Sequence, residues 1–255
     1  MSGILYNFEN RIVTITLDNP AKLNALTPDM LTELARLCDV IEADNSILAV
    51  ILAASGTRAF CAGADINAWS DIPPGEFARH WVRGGHRVVD RLARLSKPTI
   101  AAISGHAFGG GLELAAACDI RVMAPSATLA LPEAAVGIVP GWSGTQRLAR
   151  LLPEPVLKEM VLFGRRLSAE RAHQLGFVAE IAEDVLSAAH AIAAKLEATS
   201  PAATEIAKYM VHAAVGEDTS AMIEALGSGM IGATADRAEG VSAFKAKRQP
   251  KFEGN

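Results

Sequence analysis

Hydrophobic and polar residues alternate along 4–17, and the pattern predicts two short strands turning at Glu9-Asn10. In the second strand Val13, Ile15 and Leu17 alternate with Ile12, Thr14 and Thr16, as expected where successive side chains face opposite ways. Asp18-Asn19-Pro20 stops it, because proline has no N–H for the ladder. The period then lengthens. Leu31, Leu34, Ala35, Cys38 and Ile41 form an apolar stripe at helical spacing. Thr27-Pro28 opens that helix, with threonine as N-cap and proline at the first helical position. Apolar runs at 49–53, 98–103, 120–123 and 128–131 predict further strands, and 112–117 predicts a buried helix behind a glycine-rich turn.

Short strands alternating with helices imply an α/β fold with parallel pairing. The strand–turn–helix units recur at uneven intervals, so there is no strict repeat. From about Thr145 the pattern becomes helical, over 145–163, 168–175, 184–199, 201–214 and 219–246. These helices are rich in alanine and leucine. They must cover either a core of their own or a neighbouring subunit. Segment 70–76, with Pro73-Pro74-Gly75, is expected to be a mobile loop.

Composition narrows the class. A chain of 255 residues, half of them hydrophobic and 20% charged, can bury a full core and is not disordered. A net charge of -4 lacks the basic footprint of a nucleic-acid binder. Three widely spaced cysteines, Cys38, Cys61 and Cys118, suggest neither a disulfide framework nor a metal site. They read as buried thiols in a reducing compartment. The N-terminus shows no basic segment followed by an apolar one, and no run of 18 uncharged apolar residues occurs. A cytoplasmic protein with no membrane span is the expectation.

Three segments carry candidate chemistry. Ala59-Phe60-Cys61-Ala62-Gly63-Ala64-Asp65-Ile66 follows a strand. Gly105-His106-Ala107-Phe108-Gly109-Gly110-Gly111-Leu112-Glu113 joins a strand to a helix. Leu131-Pro132-Glu133 ends a strand and leads to Gly137-Ile138-Val139-Pro140-Gly141-Trp142-Ser143-Gly144-Thr145-Gln146-Arg147. The triple glycine lets backbone approach a ligand. The helix behind it offers free N–H groups and a partial positive end, suited to negative charge developing on an oxygen. Glu113 falls in the first turn of that helix, where an acidic residue also simply complements the dipole. Glu133 lies 20 residues further on (133 − 113), and by itself reads equally as a turn cap or a lysine partner. If the two carboxylates meet, they can bracket a water, one taking a proton and the other giving one. The lysine of a P-loop is missing, as is the GxSxG elbow of a serine hydrolase. His106 reads as a packed or hydrogen-bonded histidine.

In this order, FCAGADI, GHAFGGGLELAAACDI and LPEAAVGIVPGWSGTQRL resemble the enoyl-CoA hydratase/isomerase (crotonase) superfamily. The likeness runs from ITLDNPAKLNAL near the start to EGVSAFKAKRQPKF at the end. It implies a spiral of ββα units, here over 1–195, with a helical C-terminal trimerisation region over 196–255. The implied assembly is a homotrimer or a hexamer. The implied chemistry holds the enolate of an acyl-CoA thioester between two backbone N–H groups, which carry over to Ala62 and Gly110. In hydratases of the family two glutamates hold the added water, and these map to Glu113 and Glu133. Glu133 would deliver a proton to Cα while Glu113 activates or positions the water. No cofactor is implied beyond the coenzyme A of the substrate. Retention of both carboxylates favours a hydratase or dehydratase over an isomerase. Another enzyme of the family, or a non-catalytic CoA-binding protein, is the alternative.

Coenzyme A contacts carry over to Lys22, Leu23 and Ala25, to Ala64, Asp65 and Ile66, and to Gly109, Pro140, Gly141 and Trp142. Lys247, with Lys245 and Arg248, could reach the CoA phosphates from the same or a neighbouring subunit. Asp119 and Arg121 match a structural position. One departure stands out: after the proline many hydratases have a small residue and then glycines, whereas after Pro140 this chain has Gly141-Trp142-Ser143-Gly144. Trp142 would narrow the acyl pocket, floor it, or pack outward. Trp69 and Trp81 lie in a segment that often lines the pocket mouth.

Overall fold

A computed structural model describes residues 3–217 and 219–255. The chain begins with β1 (Gly3–Glu9) and β2 (Ile12–Asp18), then α1 (Pro28–Ala43), β3 (Ala49–Ala54) and β4 (Ala59–Cys61). A short helix α2 (Pro74–Glu76) runs through a π-helical turn at Phe77–Val82 into α3 (Arg83–Ala93). Then come β5 (Thr99–Ile103), β6 (His106–Phe108), α4 (Gly110–Ala117), β7 (Ile120–Met123) and β8 (Thr128–Ala130). Next are α5 (Gly144–Leu151), α6 (Glu154–Phe163), β9 (Leu167–Ser168), α7 (Ala169–Gln174), β10 (Glu180–Ile181) and α8 (Val185–Ala194). The last helices are α9 (Pro201–Ala214), α10 (Thr219–Gly232) and α11 (Ala235–Ala246).

From β3 to β8 successive strands alternate between two sheets. A six-stranded sheet runs β1-β2-β3-β5-β7-β10 and a four-stranded one β4-β6-β8-β9. From β3 to β8 each pair adds one strand to each sheet, which is the spiral that the sequence resemblance implies. All pairs from β2 to β10 in the larger sheet are parallel, and only β1 joins antiparallel. The continuous apolar run of β3 is explained by its central place: Ala49 to Ala53 are buried on both faces. Thr27 Oγ1 accepts from Met30 N at 3.2 Å, so α1 starts at its expected cap and buries Met30, Leu31, Leu34, Leu37, Cys38 and Ile41.

Some expectations change. Segment 70–76 is not all loop, because Pro74 at the first helical position starts α2. The helix expected over 145–163 breaks before Pro153, with Leu152 extended at φ -130. The one expected over 219–246 breaks at Thr234, whose hydroxyl caps α11 by accepting from Arg237 N at 3.1 Å.

The residues up to Pro201 form one compact unit and Ala202–Asn255 a second; a division at 195 would fall at the end of α8. Within the second unit the C-terminal tail turns back along α11. Lys251 N donates to Glu239 at 2.7 Å, Glu253 N donates to Asp236 at 2.8 Å, and Arg248 grips Glu239 with both terminal nitrogens. This unit leaves Met210, Val211, Ile223, Met230, Ile231 and Phe244 exposed. Among the described residues, no helix is long and apolar enough to cross a membrane.

Candidate active site

Parallel pairing of β4, β6 and β8 brings the three chemistry-bearing segments to one edge of the smaller sheet. Ala62–Asp65 leaves β4, Gly109 and α4 leave β6, and Pro132-Glu133 leaves β8. Segment 22–26 is laced beside the first of these. Ala62 N donates to Leu23 O at 3.0 Å, Leu26 N to Gly63 O at 2.8 Å, and Asp65 N to Leu26 O at 2.9 Å. The buried Asn24 amide secures the loop by donating to Ser55 O and Ala59 O.

That lacing corrects one assignment. The Ala62 N–H, expected in the oxyanion hole, is committed to Leu23. The Leu26–Ala64 bridge turns the Ala64 N–H to the other side, where a methyl on Gly110 would lie 3.6 Å from it. Among the described residues, neither the Ala64 nor the Gly110 N–H has a protein acceptor. Both residues line the same cavity, so the convergent donors are those of Ala64 and Gly110.

Both carboxylates reach that cavity. Glu113 is 3% exposed, and its Oε1 accepts from Trp142 N at 2.7 Å and Gly144 N at 2.8 Å. Gly144 has to be a glycine here: a methyl on it would come within 2.6 Å of that oxygen. Glu133 comes close because Gly109 N donates to Ala130 O at 3.0 Å, which sets the β8 end beside the glycine turn. Gly109 has φ 51, and a methyl on it would lie 2.9 Å from Glu133 Oε1. Glu133 is 8% exposed, and its Oε2 is buried with no partner among the described residues.

Burial raises the pKa of both groups. For Glu113 the two backbone N–H groups oppose the rise, with His86 and Arg147 adding positive charge. For Glu133, burial leads, only its own backbone N–H opposes, and the charge of Glu113 raises it further, to about 7. Burial thus disfavours the charged form of both groups, and only Glu113 has backbone N–H donors from other residues to favour its anion.

Behind Glu113 lies a polar cluster that sequence reasoning missed. Ser143, at φ 73, places its hydroxyl 3.1 Å from His86 Nδ1 and 3.3 Å from Asp90 Oδ1. The buried Arg147 donates to Asp90 Oδ1 at 2.8 Å, and His86 Nε2 sits 3.2 Å from Asp90 Oδ2. The i,i+4 spacing of His86 and Asp90 was the available signal. The cluster fixes the Trp142–Gly144 turn that grips Glu113.

Of the other residues singled out, Ala64, Ile66, Gly109, Gly110, Gly141 and Trp142 line the cavity, as do Ala62 and Gly63. Lys22, Leu23, Ala25, Asp65 and Pro140 do not. Lys22 instead pairs with Asp65 at 2.8 Å. Lys247 ends α11 in the C-terminal unit, with φ 52. Trp142 does not pack outward: it is buried and forms part of the wall, together with Trp69, Phe77 and Trp81. His106 accepts from Thr128 N at 3.1 Å and stacks on Phe108. Asp119 holds Thr99, and Arg121 binds the carbonyls of Cys118, at the end of α4, and of Phe177, beyond α7. All three are structural.

The sequence and fold have counterparts among known proteins. The profile of the enoyl-CoA hydratase/isomerase family matches residues 7–255. The chain is 34% identical to the short-chain-enoyl-CoA hydratase of Clostridium acetobutylicum, over 100% of this chain and 98% of that one. It is 38% identical to the mitochondrial enoyl-CoA hydratase of Pongo abelii, over 95% of this chain and 84% of the other. Among solved structures, the enoyl-CoA hydratase of Bacillus anthracis superposes with a TM-score of 0.81 at 35% identity, covering 99% of both chains.

Proposed function

The chain belongs to the enoyl-CoA hydratase/isomerase family, and we propose that within it the protein is a hydratase. It adds water across the 2,3 double bond of a 2-enoyl-CoA thioester. The observation that carries this reading is the unlike pair of carboxylates. Glu113 accepts from the Trp142 and Gly144 N–H groups, which favour its charged form against burial. Glu133 keeps one oxygen uncommitted and a pKa near 7. An isomerase needs one group that moves a proton, whereas addition of water needs a base and an acid together.

In this mechanism the thioester oxygen lies between the Ala64 and Gly110 N–H groups. Glu113 takes a proton from water as the oxygen bonds to Cβ, and the electron pair of the double bond moves toward the thioester oxygen. The two N–H donors stabilise the enolate charge. Glu133 gives its proton to Cα, and exchange with solvent resets both carboxyls. Lys22, Leu23, Ala25, Asp65 and, from the C-terminal unit, Lys247 are proposed CoA contacts. No cofactor beyond the CoA of the substrate enters the scheme. The exposed apolar residues of α9–α11 support a homotrimer or hexamer, which light scattering would test. Three buried free thiols support a reducing, cytoplasmic location.

The test is a panel of 2-enoyl-CoA and 3-enoyl-CoA esters. Loss of the enoyl absorbance with the 2-enoyl esters is expected. Turnover of the 3-enoyl esters alone would identify an isomerase and overturn the proposal.

A further inference from the structure

The chain is poor in aromatic residues, yet all three of its tryptophans, Trp69, Trp81 and Trp142, line the one cavity that holds the carboxylates, and Phe77 joins them. The rings are arranged in two tilted pairs. Trp81 and Trp142 have centroids 5.7 Å apart at 50°, and Trp69 and Phe77 have centroids 5.5 Å apart at 52°. Such spacing lies within the range of aromatic contacts; Trp142 is buried, and Trp69, Phe77 and Trp81 are half-buried and carry the exposed part of the aromatic lining.

Trp142 is fixed at the reacting end. A methyl on Gly85 would come within 2.2 Å of its indole, and one on Gly110 within 2.8 Å. The indole thus fills the gap between α3 and α4 that two glycines leave, and it lies beside the Gly110 N–H. A group attached to the substrate's Cβ would run onto the Trp142 and Trp81 rings. Among the described lining residues, Glu113 and Glu133 are the only charged side chains, and there is no hydroxyl or amide side chain. An acyl group bearing a carboxylate or hydroxyl would lose hydration here without a partner. The cavity measures about 220 Å³ with Trp142 in its wall, a volume that suits a compact acyl group better than a long flexible chain. A methyl group would leave most of the ring faces untouched.

We propose that this site takes an acyl group carrying an unsubstituted aromatic ring on Cβ, a 3-arylpropenoyl thioester, with Trp142 and Trp81 as its specificity-determining residues. The proposal rests on the hydratase reading, and binding of unreactive esters separates the two. Calorimetry would compare 3-phenylpropionyl-CoA, butyryl-CoA and decanoyl-CoA, and kinetics would compare cinnamoyl-CoA, crotonyl-CoA and 2-decenoyl-CoA. Two ring contacts correspond to roughly a tenfold advantage, so the phenyl ester should bind about tenfold more tightly than either alkyl ester. The ratio of phenylpropionyl to butyryl affinity should narrow toward unity in Trp142→Leu and, if that variant does not fold, in Trp81→Leu. Equal or tighter binding of an alkyl ester by the intact protein would overturn the proposal, even if hydration proceeds. Tight phenylpropionyl binding with no turnover of any 2-enoyl ester would uphold the acyl class and overturn the hydratase reading.

Discussion

Replacing Glu133 by glutamine separates the burial of this group from its chemistry. The carboxyl is raised from 4.5 to about 7, which corresponds to roughly 3 kcal/mol in favour of its protonated form. The sign follows from proton counting. Between those two values the folded protein holds a proton that the unfolded chain has released, so stability falls as pH rises through this window. Above about 7 the loss is complete and constant. Glutamine has nearly the same shape and no proton to lose. Glu133→Gln should therefore unfold at a similar urea concentration to the parent near pH 4.5. At pH 8 it should be the more stable protein, by up to roughly 3 kcal/mol. Both must be measured at the same protomer concentration, because assembly shifts apparent stability. Hydration in the variant should fall by about 10²–10⁴. In the parent, hydration should decline above about pH 7 as the acid ionises. A stability difference that does not change between pH 4.5 and 8 would refute the assignment of a buried, protonated carboxyl.

Other perturbations probe the same construction. Gly144→Ala puts a methyl into the space of Glu113 Oε1, 2.6 Å away, and should lower kcat at least tenfold with little change in affinity for a saturated acyl-CoA. Asp90→Asn removes the carboxylate that faces the buried Arg147 and should destabilise the fold by about 3 kcal/mol in chemical denaturation. It should also lower kcat by loosening the Ser143 turn. Thr27→Ala deletes the α1 cap and should cost about 1 kcal/mol, read in the same denaturation experiment, without altering kcat.

Much of this was written in the sequence. The strands at 49–53 and 120–123 were legible because a strand buried on both faces is a continuous apolar run. The glycine turn and both glutamates were legible as segments. Their meeting was not, since it depends on β6 and β8 being neighbours. The oxyanion donor illustrates the limit: Ala62 and Ala64 are the same residue type, and only the pairing with Leu23–Leu26 decides whose N–H is free. Helix α3 was missed because Gly84-Gly85 lowers its helical signal, and Gly85 is there to admit Trp142. Pro153 and Thr234 did carry a local signal, as helix breaker and cap, within runs whose apolar content suggested single long helices.

The most direct test of the two-carboxylate account is the saturating hydration rate of a 2-enoyl-CoA by the intact protein, Glu113→Ala and Glu133→Ala, with thioester affinity measured alongside. The account predicts a loss of about 10²–10⁴ in each variant, with affinity nearly unchanged. Undiminished hydration in either variant would contradict it.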